Sequence, residues 1–445
     1  MILVLSLVAM IVFIVASTTI GKLHPFVALL LAAFGYGVIT GMPVDELLVS
    51  INEGFGDTIA YIGIVIVAGS IIGTFLKRSG AAAHLAASVL RLAGPSHIPM
   101  TMGLVGYVVS MPVFCDAAYV LLSPINRALS IRAGVSAAGG AVALSLGLYA
   151  THTMVPPTPG PVAAAGILDA DLGLVIVWGM VVSMIALGAG LLFAVRYAAK
   201  FEFAAAPNAT VETAPEVSSE GHSTLGALLP IFVPILLIVG RSVAQLPTSP
   251  LGTGVAVNFF DVTGQPAVAL SIGALLALFL PKSFERSMLS ERGWFGEAIL
   301  NSALIILITG AGGAFGRVLQ ASGIADVVGS GASQIEMGLI LPFILAAAIK
   351  TAQGSSTVAI VTTAGIVAPL LASLGLDSET AKALAVVAIG AGSMVVSHAN
   401  DSYFWVVTQF SGMSVKQGYQ LQSVGTLIQG ATAAIAVVVL GMFLI

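Results

Sequence analysis

Four short polar runs interrupt an otherwise apolar sequence, and they hold the side chains best suited to binding and proton transfer. The first run, 111–116, places Asp116 between two long apolar stretches. Ionisable groups within membrane segments are costly and usually functional, and burial favours the neutral form of a carboxyl group. Asp116 is therefore predicted to carry a proton. The alternative is a structural aspartate that caps the helix after it.

The second run, 350–357, combines a lysine with glycine and hydroxyl side chains. Glycine gives the backbone freedom, and hydroxyls together with free N–H groups at the start of a helix suit an anion. Lys350 is predicted to be a charge partner for a carboxylate; otherwise it extends toward the membrane surface from a helix end. The substrate-binding residues predicted in this run are Gln353, Gly354, Ser355, Ser356 and Thr357.

The third run begins with a histidine at the end of an apolar stretch. Four prolines between positions 156 and 161 prevent a helix from continuing. Thr151 and His152 are therefore predicted to line a site at this break, where His152 binds substrate or relays a proton. The alternative is that the imidazole only satisfies the carbonyl groups that the break leaves free.

The fourth run, 397–405, is dense in polar groups directly after an apolar segment. His398 and Asn400 are predicted to bind substrate. Asp401 is predicted as a second candidate proton carrier, because a carboxylate at membrane depth is usually functional. The alternative for this run is a solvated cap at the end of a helix.

Signatures of enzymes and of ATP-driven pumps are absent from the sequence. There is no Walker-type phosphate loop, no Gly-x-Ser-x-Gly run and no His-Glu-x-x-His run. The histidines are not spaced like zinc ligands. No metal, cofactor or catalytic residue is predicted.

The composition indicates a helical protein that crosses a membrane many times. Of 445 residues, 58% are hydrophobic and 8% are charged, whereas soluble domains contain about 25% charged residues. Mean hydropathy is +1.06. A net charge of −4 without a basic cluster gives no indication of nucleic acid. The single Cys115 excludes an intramolecular disulfide.

Each span needs about 20 apolar residues, so the chain has room for roughly ten. The spans are predicted at 2–20, 25–41, 57–76, 133–150, 172–195, 225–241, 263–280, 298–319, 380–397 and 423–445. Two other apolar stretches, 98–126 and 335–372, are interrupted by polar residues. Interrupted helices at membrane depth survive only within protein or beside a cavity, so both are predicted to be re-entrant hairpins.

The two halves of the chain resemble each other. Five residues of the segment 69–80 recur 243 positions later, and Thr151-His152 recurs as Ser397-His398, 246 positions later. The five pairs are Gly69 and Gly312, Gly73 and Gly316, Leu76 and Leu319, Ser79 and Ser322, and Gly80 and Gly323. An interrupted stretch lies between the matched segments in each half. The pattern indicates an internal duplication.

Lysine and arginine in the short connections indicate how the halves are oriented. The residues that carry this bias are Lys77, Arg78, Arg91, Arg127, Arg132, Arg196, Lys200, Lys282, Arg286 and Arg292. If they face the cytoplasm, each half has five spans and a hairpin, and the odd number inverts the second half. The predicted parts are an N-terminal repeat, 1–196, a polar cytoplasmic linker, 197–224, and an inverted C-terminal repeat, 225–445.

At its polar runs the sequence resembles the gluconate permease family of proton symporters, within the ion-transporter superfamily. The resemblance covers both halves. The matching segments are 69–80, the Pro-x-Phe-x-Asp run at 112–116, Ala150-Thr151-His152, Pro156 to Pro161, 352–355, and 397–402 with Phe404-Trp405. Two positions depart from the family pattern: Cys115 stands where a phenylalanine is expected, and Thr158 stands where some members carry a second histidine.

The resemblance implies uptake of a small hydroxylated acid together with protons across the bacterial inner membrane. Gluconate and related sugar acids are family substrates, and D-serine is one for some members. It also implies alternating access, a homodimer, and no driving force other than the ion gradient. Two alternatives are another small carboxylate or sodium coupling, because carbonyl-rich helix breaks also suit sodium. A passive channel is a third.

Overall fold

The computed structural model describes residues 2–93, 97–111, 113–133, 135–203, 223–245, 254–324, 327, 338–398 and 401–445. At a few of these, including Gln353, only the backbone is described. The regular secondary structure of this part of the chain is helical throughout. Most of the central linker, 204–222, and Asn400 lie outside the described residues.

The N-terminal half contains nine helices within its described residues. The longest are α3, with 36 residues, and α9, with 25. They are α1 (Ile2–Thr19), α2 (Pro25–Ile39), α3 (Val44–Ser79), α4 (Ala81–Ala93), α5 (Ile98–Val109), α6 (Cys115–Ala133), α7 (Ala137–Met154), α8 (Pro159–Ile167) and α9 (Leu172–Arg196).

The described part of the C-terminal half contains ten α-helices. Its helices are α10 (Thr224–Ala244), α11 (Val255–Thr263), α12 (Pro266–Ala277), α13 (Trp294–Ala321), α14 (Ile340–Gln353), α15 (Ser356–Val367), α16 (Glu379–Gly392), α17 (Ser402–Ser411), α18 (Val415–Gly418) and α19 (Val424–Leu444). A short π-helix, Tyr419–Ser423, joins α18 to α19.

The helices confirm a polytopic membrane protein. By length and composition, four helical segments within the described chain suffice to cross a bilayer, and two bent pairs raise the number to as many as six. The four are Leu172–Lys200, Thr224–Ala244, Arg286–Ala321 and Val415–Leu444. The bent pairs are α11 with α12, at 75°, and the two parts of α3, at 43°. Shorter apolar helices, Ile2–Thr18 and Pro25–Ile39, coincide with two of the four remaining predicted spans.

In both interrupted stretches a helix stops and another begins a few residues later. α5 ends at Val109 and α6 begins at Cys115, whereas α14 ends at Gln353 and α15 begins at Ser356. In each half a second interruption follows, between α7 and α8 and between α16 and α17. The polar runs that the sequence singles out therefore lie at, or within one turn of, the points where helices stop and restart.

The repeated segments lie on α3 and α13, and these two helices pack against each other in opposite directions. A Cβ at Gly54 would lie 2.6 Å from the carbonyl oxygen of Gly313, and the hydroxyl of Ser70 donates to the carbonyl of Ala298 at 2.8 Å. Numbering therefore increases along α3 as it decreases along α13. Small residues allow this close approach, as is common between membrane helices.

Ion pairs join α3 and α13 near both ends of their contact. Arg78 Nε donates to a carboxylate oxygen of Glu297 at 2.7 Å, and Arg317 lies 3.2 Å from Glu53. The side chains of this second pair are 46% and 51% exposed, so the pair contributes about 1 kcal/mol or less to stability.

Replacing Gly147 with alanine should destabilise the contact between α5 and α7. A Cβ at this position would lie 2.1 Å from the carbonyl oxygen of Gly103, which is backbone and cannot rotate away. Overpacking of this kind costs about 1–3 kcal/mol. Thermal unfolding in detergent measures the effect. Gly188→Ala is the control, because nothing lies within 4 Å of a Cβ there; equal losses in both variants would contradict the prediction.

Candidate functional site

The interruptions of the two halves meet around a buried ion pair between Lys350 and Asp401. Lys350 lies in the last turn of α14, and Asp401 is the N-cap residue of α17. Lys350 Nζ lies 2.7 Å from Asp401 Oδ2, and their side chains are 0% and 4% exposed. Taking two charges out of water is expensive, and their attraction offsets this only with good geometry and further hydrogen bonds.

The surrounding backbone and side chains provide those further bonds. Lys350 Nζ also donates to the carbonyl oxygen of Gly354, in the turn between α14 and α15. Gly354 has φ +94, a conformation that side chains other than glycine rarely adopt. Ser397 donates to Asp401 Oδ2 at 2.6 Å, and Asp401 Oδ1 accepts from the N–H of Tyr403 at 3.0 Å. The pair thus fixes the turn of one broken helix against the break of the other.

Asp116 lies in the first turn of α6. Its Oδ1 atom is buried and makes no hydrogen bond to any described residue. Asp401 and Lys350 are close enough to interact with it electrostatically. A cavity of about 290 Å³ gives access to Asp116. Its other lining residues are Gly73, Thr74, Lys77, Val113, Phe114, Ala117, Glu297 and Asn301.

Helix α7 continues further than its sequence predicts, so Thr151 and His152 are helical. The N–H of Val155 still donates to the carbonyl of Thr151 at 2.9 Å. The first missing donor is that of Pro156, which is why the break begins only after Met154. The predicted span, 133–150, therefore ended about one turn too early.

The side chains of Thr151 and His152 have different surroundings. The Thr151 hydroxyl is fully buried and donates to the carbonyl of Tyr107 on α5 at 3.1 Å. His152 is buried beside Phe114, with ring centroids 6.1 Å apart, and its Nδ1 atom has no hydrogen-bond partner among the described residues. Asp401 interacts electrostatically with the imidazole. His152 therefore belongs to the cluster, whereas Thr151 joins two helices.

The turn before α15 presents the predicted anion-binding residues at a helix N-terminus. Ser355 is the N-cap, and its side-chain oxygen accepts from the N–H of Val358 at 3.3 Å. Ser355 is exposed, Thr357 is half-buried and Ser356 is buried. Gln353 ends α14 at the opposite side of the turn, and its side chain lies outside the described residues.

His398 links the break before α17 to α14. Its Nε2 atom lies 2.8 Å from the carbonyl oxygen of Thr351, to which it donates. Asn400 and its surroundings are not described. In the described part of the chain no three His, Cys, Asp or Glu side chains form a group that could hold a metal ion.

Two tyrosines belong to the cluster and were not singled out from the sequence. Lys350 Nζ lies 6.0 Å from the ring centre of Tyr149, near the range of a cation–π contact. Tyr403 packs against Tyr149 with ring centroids 4.9 Å apart and donates to the carbonyl of Ser145 at 3.0 Å. The available signal was spacing: Tyr149 precedes His152 by three residues, which places both on one face of α7.

Replacing Ser355 with alanine should weaken substrate binding as well as the start of α15. Loss of an N-cap costs about 1 kcal/mol, and loss of a hydroxyl from the predicted anion site should raise KM. Ser378→Ala is the matched control, because Ser378 caps α16 in the same way at 3.2 Å. Unfolding and uptake kinetics are measured for both variants. A similar KM for the two variants would show that the Ser355 hydroxyl does not bind substrate.

Comparison with known proteins gives consistent results along the whole chain. The GntP family permease model matches residues 1–443. The gluconate permease of Pseudomonas aeruginosa is 31% identical and covers 95% of this chain and 94% of its own length. The gluconate permease of Zymomonas mobilis is 32% identical and covers 93% of this chain and 92% of its own length. The inner membrane permease YgbN of Escherichia coli is 32% identical, with 92% of each chain covered.

Solved transporter structures share the fold at low sequence identity. The YdaH transporter of Alcanivorax borkumensis superimposes with a TM-score of 0.66 at 17% identity, over 95% of this chain and 99% of its own. MtrF of Neisseria gonorrhoeae superimposes with a TM-score of 0.62 at 16% identity, over 90% of this chain and 84% of its own. With the whole-length sequence matches, these findings show that the chain belongs to the GntP permease family and is a transporter of the bacterial inner membrane, not an enzyme.

Proposed function

We propose that this protein takes up gluconate or a related sugar acid together with protons. The observation that carries the proposal is whole-length similarity to proteins named gluconate permeases, at 31% and 32% identity. The site is also suited to such a molecule, since hydroxyls and helix N-termini bind carboxylates and polyols. D-serine or another small carboxylate is the second candidate substrate class.

The proposed architecture is a pair of inverted repeats with two re-entrant hairpins. The antiparallel packing of α3 and α13, which carry the repeated residues, supports the inversion. The contact between these helices also has nearly two-fold symmetry. Gly54 faces Gly313, and an offset of 243 residues maps this pair onto positions 297 and 70. The observed contact of Ser70 is with Ala298, one residue from the mapped position. Alternating access by relative movement of two such halves is the mechanism that inverted repeats suit, and a homodimer completes the proposal.

The substrate carboxylate is proposed to bind at the start of α15. Ser355, Ser356 and Thr357 supply hydroxyl groups there, and the N–H groups of the first helical turn have no partners within the helix. Gln353 and Gly354 adjoin this turn in the chain, and His398 bonds to the carbonyl of Thr351 beside it. His152 joins the cluster from the other half, whereas the Thr151 hydroxyl is bonded to α5 and is not part of the proposed site. Asn400 lies outside the described residues and stays a proposed contact. The charge of Lys350 is balanced by Asp401 at 2.7 Å, so Lys350 acts on substrate only through the turn that it holds.

Asp116 is the better of the two candidate proton carriers. Its Oδ1 atom lacks a hydrogen-bond partner among the described residues, and the carboxyl group lines a cavity. Asp401 is already bonded to an ammonium group, a serine hydroxyl and a backbone N–H. A group that must gain and lose a proton in each cycle needs access and few fixed bonds, which favours Asp116 and assigns Asp401 a structural part.

Uptake into proteoliposomes under an imposed pH gradient tests the proposal. The membrane potential is clamped, and gluconate, related sugar acids and D-serine are compared. Accumulation of gluconate above equilibrium, lost when the gradient is collapsed, is expected. Equilibration without accumulation would indicate a channel, and accumulation that follows only a sodium gradient would indicate the other coupling ion.

A further inference from the structure

The contacts of the Lys350 ammonium group resemble those of a metal cation bound to a protein. Its ammonium group is completely buried, and both of its described hydrogen bonds go to oxygen atoms, the Asp401 carboxylate and the Gly354 carbonyl. The Ser397 hydroxyl oxygen lies 2.6 Å from the same carboxylate oxygen. Carboxylate, carbonyl and hydroxyl oxygens are the ligands of hard metal cations.

The position of this group in the fold is also one that attracts cations. Lys350 is in the last turn of α14, where the helix dipole is negative and carbonyl groups lack helical partners. The Gly354 carbonyl belongs to the turn between two half-helices. In transporters built from broken helices, unwound carbonyls and half-helix C-termini coordinate coupling cations.

We propose that the Lys350 ammonium is a tethered replacement for a monovalent metal cation, and that the oxygen cluster around it is a latent sodium-sized site. The inference rests on the proposed transport function. It adds that the cation at this hairpin is covalently fixed, so transport needs no sodium. The turn at Gly354 and the break at Asp401 then stay joined without an ion from solution.

The fixed charge also separates the two carboxylates of the cluster. Asp401 is neutralised permanently by Lys350, whereas Asp116 has no hydrogen-bonded cation among the described residues. Removing the ammonium would leave Asp401 buried with a vacant volume beside it. A small cation from solution, with water filling the space of the lysine stem, would then restore the balance of charge.

Lys350→Ala and Lys350→Ser test the proposal, the serine supplying one more oxygen. Each purified variant is titrated with lithium, sodium or potassium chloride against choline chloride at constant ionic strength, and its melting temperature is followed. We expect a saturable rise of several degrees with one of these ions. The wild type should show none, and uptake by the variants should become dependent on the same ion. Lys350→Ala with Asp401→Asn is the control, because it lacks the carboxylate and should not respond.

Several outcomes would overturn the inference. They are a sodium requirement of the wild type, folded variants that respond to no cation, and an equal response of the double variant. If the single variants do not fold, their yield from membranes prepared in sodium or in choline is compared. Failure in both salts, while the double variant folds, also counts against it. Failure of the wild type to accumulate gluconate would affect only the proposed function, because the melting titration does not depend on transport.

Discussion

Replacing Asp116 with asparagine should abolish accumulation of gluconate while leaving gradient-free exchange intact. Asparagine has the same shape but cannot carry the proton. One pH unit is worth about 1.4 kcal/mol per proton, or about tenfold accumulation for one proton per substrate. The inside-to-outside ratio in clamped proteoliposomes should therefore fall from about 10 to about 1.

Exchange of labelled for unlabelled gluconate separates coupling from binding. It should persist in the Asp116 variant, since the hairpin turn before α15 is unchanged. Asp377→Asn is the matched control, because Asp377 is exposed. This variant should accumulate substrate like the wild type. If the Asp116 variant still accumulates gluconate with the pH dependence of the wild type, another group carries the proton.

Breaking the pair of Lys350 and Asp401 should have a larger effect on folding than any surface ion pair. Removing one partner from a buried pair leaves an uncompensated charge and costs about 3–5 kcal/mol. Asp401→Asn should therefore reduce thermal stability strongly in choline salts, and Lys350→Met should do the same. The double variant should recover most of the loss, because neutral side chains of similar volume replace a buried pair at little cost.

A double-mutant cycle on melting curves gives the coupling energy directly. The control cycle uses Arg317→Met and Glu53→Gln, whose half-exposed pair at 3.2 Å should couple by about 1 kcal/mol or less. A coupling for Lys350 and Asp401 as small as the control value would show that the two charges act independently. If the double variant of Lys350 and Asp401 is folded but takes up less substrate, the loss reflects the altered turn before α15 and not a loss of stability.

The sequence alone determined the class of the protein and the places where chemistry is possible. Sustained apolar stretches permit only helices in a bilayer, and prolines or glycines among polar residues must interrupt them. That reasoning located the turn at Gly354 and the break after Met154 to within a turn. It also identified the repeated segment 69–80 and the family, because motifs spread over both halves agree in order.

The tertiary structure decided which polar groups are partners, because pairing depends on contacts between residues far apart in the chain. Lys350 and Asp401 are 51 positions apart, and no spacing rule joins them, so the lysine was first assigned to the substrate. Tyr149 joined the cluster only through the packing of α7 against α17, where its ring centroid lies 4.9 Å from that of Tyr403. Thr151 was placed on the α5 side by its hydrogen bond to Tyr107. Helix period and composition act locally, whereas the partner of a buried charge is set by the packing of the whole chain.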